Sequence, residues 1–404
     1  MSPPTTTRWR AAVTAAFACT GLTMATWVSR TPSIRDLTHA TTADMGIVIA
    51  GLSVGSMVGI AAGGGFVARS GARACIAASL TAVVVGTLVI AAGASTGQAW
   101  LVTLGLAVVG FGMGAGEIAF NVEGVAIEAV TNTTVVPSLH GSYSAGLCVG
   151  AVLGLLANGS GFPVMAHLVA VAVLTAGSTV WLVRNLPHAT GRESRGPADQ
   201  GIRDSLRGSA AVWREGRTVA IGVIVLGMAF AEGSANDWLP LIVVDGFGLS
   251  ATTGSLLYAL FGASMALGRF CGGRFLDCYG RTPVLRVSAG FAVVGIGLVA
   301  FAPTIYGAGI GVVLWGLGAA LGFPVALSAA GDNPEGAARR VSAVATAGYA
   351  AFLVGPPILG FIGQHVGLRV AILLVLVLVA VSACFAGWVR RPSPDPGRAE
   401  STQC

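Results

Sequence analysis

Long apolar runs, each about as long as a bilayer-spanning helix, alternate with short polar breaks along the whole chain. A helix rises ~1.5 Å per residue, so roughly 20 apolar residues cross a hydrocarbon core. Twelve such runs are read. The first six are Trp9–Val28, Gly46–Val67, Ala74–Ala92, Trp100–Phe120, Ser138–Ala157 and Val164–Leu186. The second six are Val219–Pro240, Ser250–Gly272, Val284–Ala302, Ile305–Ala330, Val341–Ile362 and Leu368–Trp388. A spanning β-barrel needs alternating apolar and polar residues, and these runs are continuously apolar, so the pattern predicts helices. Arg8 and Arg10 precede the first run, as in a secretory signal. That run is too long for a signal core and has no small-x-small cleavage site before Trp27, so it is read as the first helix.

Residues 187–216, PHATGRESRGPADQGIRDSLRGSAAVWREG, form the one long polar segment. Its mixed charge, Pro and Gly suit a cytoplasmic linker, with a short amphipathic helix expected near Ile202–Trp213. The expected organisation is a six-helix bundle over 1–186, the linker over 187–216 and a second six-helix bundle over 217–404. The halves echo each other. GGFVARSGAR at 64–73 matches GRFLDCYGRT at 273–282, an offset of 209, and Trp27 matches Trp238, an offset of 211. GFGMGAG at 110–116 matches GLGAALG at 316–322, an offset of 206, and VGAVLG at 149–154 matches VGPPILG at 354–360. Near-constant offsets argue for duplication. Two parallel six-helix repeats are a transporter arrangement, with the site between them near the midplane.

Composition agrees with the pattern. The chain is 54% hydrophobic and 10% charged, against about 25% charged for a soluble domain. All 23 basic residues are arginine. With a cytoplasmic N-terminus, 20 of them fall on the cytoplasmic side and only Arg30, Arg35 and Arg369 on the other. The positive-inside rule therefore places both termini in the cytoplasm of a multi-pass inner (plasma) membrane protein. The net charge of +6 reports topology and gives no reason to expect nucleic acid. The 7 cysteines have no metal-site spacing and read as packing residues. No cofactor or metal site is expected. GSYSAG is not the G-x-S-x-G nucleophile elbow, and GFGMGAG lacks the dinucleotide spacing. With no lysine there is no Walker site, so neither an enzyme nor ATP-driven transport by this chain is expected. The 59 glycines suit close helix packing, and Pro240, Pro324 and Pro356–Pro357 are expected kinks or breaks.

Charged side chains inside the apolar runs carry the chemistry. Each costs roughly 2.5–3.5 kcal/mol at a bilayer centre on insertion scales. Glu117 and Asn121 are four residues apart, on one helical face, and Gly110 and Gly114 continue it. Glu232 and Asn236 repeat that spacing, with Asp237 beside them. Glu117, Glu232 and Asp237 are the proton-coupling candidates, because desolvation moves a carboxyl toward neutral pH. The bland alternative for each is a permanent ion pair. Asn121 and Asn236 are candidates for hydrogen-bonding a polar solute. Trp27, Trp238, Tyr143, Tyr349 and Trp315 either stack on a sugar ring or pack as core. Glu123 and Glu128 read as interfacial. Arg30 and Arg35 lie at the outer end of helix 1, where they either pair with Asp36 or Asp237 or simply sit at the interface. Arg269 reads as snorkelling or bound to the loop that follows. His140 either relays protons to Glu117 or caps helix 5.

GGFVARSGAR and GRFLDCYGRT resemble the loop 2–3 and loop 8–9 signature of the major facilitator superfamily, G-x-x-x-D-R-x-G-R-R. The resemblance covers nearly the whole chain. WVSRTPSIRDL (27–37), GEIAFNVEGVAIE (116–128) and AEGSANDWLP (231–240) further resemble the MosC-like branch of that superfamily. The resemblance implies an all-α membrane protein of twelve transmembrane helices in two six-helix repeats, working as a monomer, with helices 1, 4, 7 and 10 lining a central cavity. It implies gating roles for Arg69, Gly71 and Arg73 in the first copy and for Asp277, Gly280 and Arg281 in the second. The first copy has Ala68 at the acidic latch position, which transfers the expected latch to Asp277. The helix-4 pair is also similar to that of the fucose/proton symporter, which implies Glu117 as a protonatable site and Asn121 as a substrate partner. The expected function is proton-coupled secondary transport of a sugar, polyol or related solute by alternating access. A proton-antiport exporter of drugs or metabolites and a non-transporting scaffold or sensor remain alternatives.

Overall fold

The computed structural model describes residues 5–131, 135–192, 212–332 and 337–390. Six helices precede the linker: α1 Thr6–Thr38, α2 Thr42–Ser70, α3 Ala72–Ser95, α4 Ala99–Thr131, α5 Val136–Gly159 and α6 Val164–Arg184. After it come α7 Gly216–Phe247, α8 Ala251–Tyr279, α9 Arg281–Phe301, α10 Ile305–Ala330 and α11 Ala337–Val366. A last span comprises α12 Leu368–Ala371, α13 Leu373–Phe385 and a 3₁₀ turn Ala386–Val389. Among the described residues 12 helices are long and apolar enough to cross a membrane, matching the twelve apolar runs. Most of the linker, and with it the amphipathic helix expected near Ile202–Trp213, lies outside the described residues.

Several helices run past the apolar runs that announced them. α1 continues through Arg30, Pro32 and Arg35, α4 through Glu123 and Glu128, and α7 through Asp245. Hydropathy marks where oil ends, whereas the backbone ladder ends only where a cap or breaker stops it. At α2 the start is such a device: the Thr41 hydroxyl accepts from the Asp44 N–H, and the Asp44 carboxylate accepts from the Thr41 N–H. Of the kinks or breaks expected at the prolines, none is a break. Pro240, Pro324, Pro356 and Pro357 all sit inside continuous helix.

Two compact units are present. The first is Met1–Gly196 with Asp237–Ala259 and Pro356–Leu368; the second is Pro197–Asn236, Leu260–Gly355 and Arg369–Cys404. In the first, α2 and α3 both pack along α4, and α1 packs along α5. In the second, α9 packs along α10.

The duplication seen in sequence reappears as matched glycine contacts, each inside its own unit. A Cβ on Gly86 of α3 would lie 2.6 Å from the Gly105 carbonyl of α4, and one on Gly295 of α9 would lie 2.5 Å from the Gly311 carbonyl of α10. The two pairs are offset by 209 and 206 positions, as the sequence echoes are. Gly112 against Ser79 repeats as Gly318 against Ser288, and Gly110 against Leu52 repeats as Gly316 against Phe261. Backbones this close leave room for no side chain, which is how helices without a hydrophobic driving force between them gain contact area. The short turns between α2 and α3 and between α8 and α9 also match. Gly71 and Gly280 have φ of 86° and 77° there, a conformation that favours glycine. Large apolar side chains such as Trp100, Leu104, Val173, Leu174 and Phe270 remain exposed along the spans, as a lipid-facing surface requires.

Candidate functional site

In the first unit, one face of α4 meets α5 through polar groups. The Asn121 side-chain N–H donates to the Glu117 backbone carbonyl at 2.8 Å, within their own helix. With its nitrogen used in that way, Asn121 turns its oxygen toward Nε2 of His140 on α5, 3.2 Å away. That geometry makes the imidazole the donor and so sets its tautomer. The His140 ring lies 4.9 Å from that of Phe17 on α1, which in turn lies 5.1 Å from Phe120. Tyr143 is partly buried beside the same aromatic group. Glu117 is exposed, and no ion pair reaches it among the described residues. Gly110 and Gly114, expected to extend this face, instead press against the Leu52 and Ser56 carbonyls of α2. They are packing glycines, and the polar face begins at Glu117.

The matching stretch of α7 is built differently. Glu232 accepts from Nη2 of Arg269 on α8 at 2.9 and 3.1 Å, an ion pair whose side chains are 18% and 36% exposed. Arg269, read as snorkelling or bound to the loop that follows, instead serves Glu232. Asp237 is buried, and no hydrogen bond or ion pair to its carboxylate is found among the described residues. Asn236 and Tyr349 are half-buried. The aromatic platform expected of Trp27 and Trp238 is not open: both are enclosed in packing, as is Trp315, whose N–H donates to the Ala231 carbonyl at 3.1 Å.

The signature loops pair their arginines with acceptors outside the motif. Asp277 is exposed and is not the partner of Arg281. Instead, Nη1 of Arg281 donates to both oxygens of Asp332, just past α10, at 2.7 and 2.8 Å, and Nη2 donates to Ser328. Arg217, at the start of α7, donates to the same Asp332 at 2.7 Å and to the Trp388 and Arg390 carbonyls. In the first copy, where Ala68 replaces the acid, Arg69 is exposed and Arg73 turns to the segment after α6. Arg73 lies 2.6 Å from Nε2 of His188 and donates to the Leu186 carbonyl, while the Ala72 N–H donates to the Thr190 carbonyl.

At the arginine-poor helix ends, Arg30 is buried and bonded only to neutral acceptors. These are His167 Nδ1 at 3.1 Å, Asn158 Oδ1 at 2.5 Å and the Phe162 carbonyl at 2.7 Å. The acceptors come from the last turn of α5, the turn after it and the first turn of α6. Arg35 pairs with Asp36, one of the two acids read as its partner, and with Asp245 in place of Asp237. Glu123, expected at the interface, is fully buried and accepts from the Trp9 indole. Asp245, Asp332, His188, Asn158 and His167 went unread because each acquires its role from a partner at least 51 residues distant, with no local motif to announce it.

Comparison with known proteins fits this fold. The Major Facilitator Superfamily profile matches residues 11–350. An uncharacterised MFS-type transporter of Yersinia pestis is 30% identical over 378 residues, 91% of this chain and 93% of that protein. Membrane protein MosC of Rhizobium meliloti is 26% identical over 391 residues, 95% of this chain and 92% of MosC. Among solved structures, the nucleoside transporter NupG superposes with a TM-score of 0.77 at 15% identity, covering 94% of this chain and 99% of that one. The transporter FucP, in its outward conformation, gives 0.66 at 16% identity, covering 95% and 99%. With its signature loops, twelve spanning helices and matched glycine contacts, the chain belongs to the major facilitator superfamily.

Proposed function

We propose that this protein is a proton-coupled secondary transporter that moves a small polar solute, a sugar, polyol or related metabolite, by alternating access. The reading rests chiefly on Glu117, an exposed acid with no ion pair among the described residues, beside the Asn121–His140 hydrogen bond. A carboxyl inside a spanning helix is costly, and one left without an ion pair is read first as functional. Glu117 exchanges the coupling proton. In the first unit Asn121 and His140 present donors and acceptors to solute hydroxyls, with Tyr143 as a flanking ring; in the second, Asn236 and Tyr349 are the candidates for solute contact. Asp237 is the second proton-handling acid, and Glu232 serves as the partner of Arg269. Arg69, Gly71, Arg73, Gly280 and Arg281 shape the turns that rearrange in the cycle, with Asp332 in the anchoring role first expected of Asp277. The solute class draws support from the nucleoside and fucose transporters of similar fold. Both termini lie in the cytoplasm on the count of arginines, and the protein acts as a monomer in the inner membrane.

The test is uptake of labelled sugars, polyols and nucleosides into membrane vesicles with and without an imposed proton gradient. Accumulation should follow the gradient and vanish in Glu117→Gln, while counterflow exchange of solute persists. Gradient-independent uptake, or an unaffected Glu117→Gln, overturns the coupling assignment.

A further inference from the structure

Within the first compact unit, three separate polar contacts tie α1, α2 and α5 to the segments Asp237–Ala259 and Pro356–Leu368. The first is ionic. Nη1 of Arg35, in the last turn of α1, donates to both carboxylate oxygens of Asp245 near the end of α7. The second caps a helix. The N–H groups of Thr42 and Ala43 open α2 and have no partner within it, and both donate to Oε1 of Gln364 on α11, at 3.0 and 3.4 Å. The third is a neutral bridge. The Asn158 side-chain N–H of α5 donates to Ser255 Oγ of α8 and to the Ser29 carbonyl of α1, each at 2.9 Å. Ser255 Oγ also donates to the Ser29 carbonyl at 3.2 Å. Between them the backbones touch: a Cβ on Gly46 would lie 2.8 Å from the Pro356 carbonyl, and one on Gly360 would lie 2.9 Å from the Thr42 carbonyl.

We propose that these contacts form a collar that shuts the arginine-poor helix ends, and that Arg35–Asp245 is the latch that opens it. The proposal rests on the alternating-access reading above. Every contact joins a segment before the linker to one after it, so the segments cannot part without breaking all three. The ion pair differs from the other two in kind. Arg35 and Asp245 are 16% and 29% exposed, so water can replace either partner at small cost, as a contact made and broken in every cycle requires. Asp36 stands ready as a second partner: its Oδ1 accepts from Arg35 Nε at 3.1 Å and from Nη2 at 2.9 Å. The arginine therefore keeps a carboxylate when Asp245 withdraws. Arg30 plays the opposite part. Buried and bonded only to α5, α6 and their turn, it holds Asn158 in place on the side that does not let go.

The experiment reads the collar without any solute. All 7 native cysteines are replaced by serine, and the buried Ser255→Cys is labelled with a membrane-impermeant maleimide in the full-length protein. Arg35→Ala and Asp245→Ala should each speed labelling about fivefold, which corresponds to about 1 kcal/mol in the opening equilibrium. The exchanged pair Arg35→Asp with Asp245→Arg should return labelling toward the starting rate. Arg35→Gln and Asp245→Asn, which keep side-chain volume, carry the same expectation if the alanine variants do not fold. Unchanged labelling in the single variants, or equal acceleration in the singles and the exchanged pair, overturns the latch. A response to these variants in a protein that transports no solute would leave the collar standing and remove the transport reading. Gradient-driven uptake with no labelling response would do the reverse.

Discussion

The indole N–H of Trp9 donates to Oε2 of Glu123 at 2.7 Å, joining the first turn of α1 to α4 across 114 positions of sequence. Trp9 lies in an apolar cluster with Phe17, Ile76, Leu80, Ile127 and Leu139, Glu123 is fully buried, and its second oxygen has no hydrogen-bond partner among the described residues. Trp9→Phe removes the donor but keeps the ring. A polar atom buried and stripped of its partner costs about 1–3 kcal/mol. Trp9→Phe should therefore lower the unfolding temperature in detergent more than Glu123→Gln, which still offers the indole an acceptor. Equal stability of wild type and Trp9→Phe would show that the bond contributes nothing.

The matched glycine pairs predict matched costs. In both Gly105 and Gly311 a Cβ would meet backbone, at 2.8 Å from the Gly86 carbonyl and 2.7 Å from the Gly295 carbonyl. Gly105→Ala and Gly311→Ala should each destabilise by about 1–3 kcal/mol, the usual penalty of overpacking. Thermal unfolding of the two purified variants checks this. A loss in one alone would show that the repeats do not share their packing.

Asp332 receives two arginines, so its removal leaves two cations without their acceptor, while removal of Arg217 leaves the Asp332–Arg281 pair in place. Asp332→Ala should destabilise more than Arg217→Ala. The cost should approach the roughly 3–5 kcal/mol of a broken buried pair only in part, because Arg217 is 32% exposed. Unfolding of the single and double variants measures the coupling. Additive losses would mean that Arg217 and Asp332 do not interact.

Glu215, just ahead of α7, supplies a pH dependence. The hydrogen bond from Arg340, 2.7 Å long, holds its carboxyl below the ordinary glutamate range. A group whose folded-state pKa is depressed adds stability that is present above its unfolded pKa and lost as pH falls through its folded one. The Tm difference between wild type and Glu215→Gln should therefore be present at neutral pH and shrink below about pH 4. A gap that grows on acidification would reverse the sign and exclude this pairing.

His140 orients Asn121, and in the transport reading Asn121 meets the solute. His140→Ala should raise KM about two- to tenfold, the effect of losing one neutral hydrogen bond, with a smaller change in kcat. Concentration-dependent uptake by the variant tests it. A fall in kcat at constant KM would assign the imidazole to the proton path.

The apolar runs alone determined that this chain crosses a membrane twelve times, because only helices and closed barrels satisfy their backbone in oil and continuously apolar runs exclude the barrel. The constant offset between echoes determined the duplication, since each half repeats the same close-packing glycines at the same spacing. Glu117 and Asn121 were legible too, as polar residues one turn apart in an apolar stretch. What only the tertiary structure decided was pairing. The sequence shows Arg35, Arg269 and Arg281 equally, and nothing local says that their acids are Asp245, Glu232 and Asp332. Nor does it say that Glu123 is sealed against Trp9 while Glu117, six residues before it, stays exposed. A helix presents a different face at every residue, and whether a face meets lipid, another helix or water is settled by the helices around it.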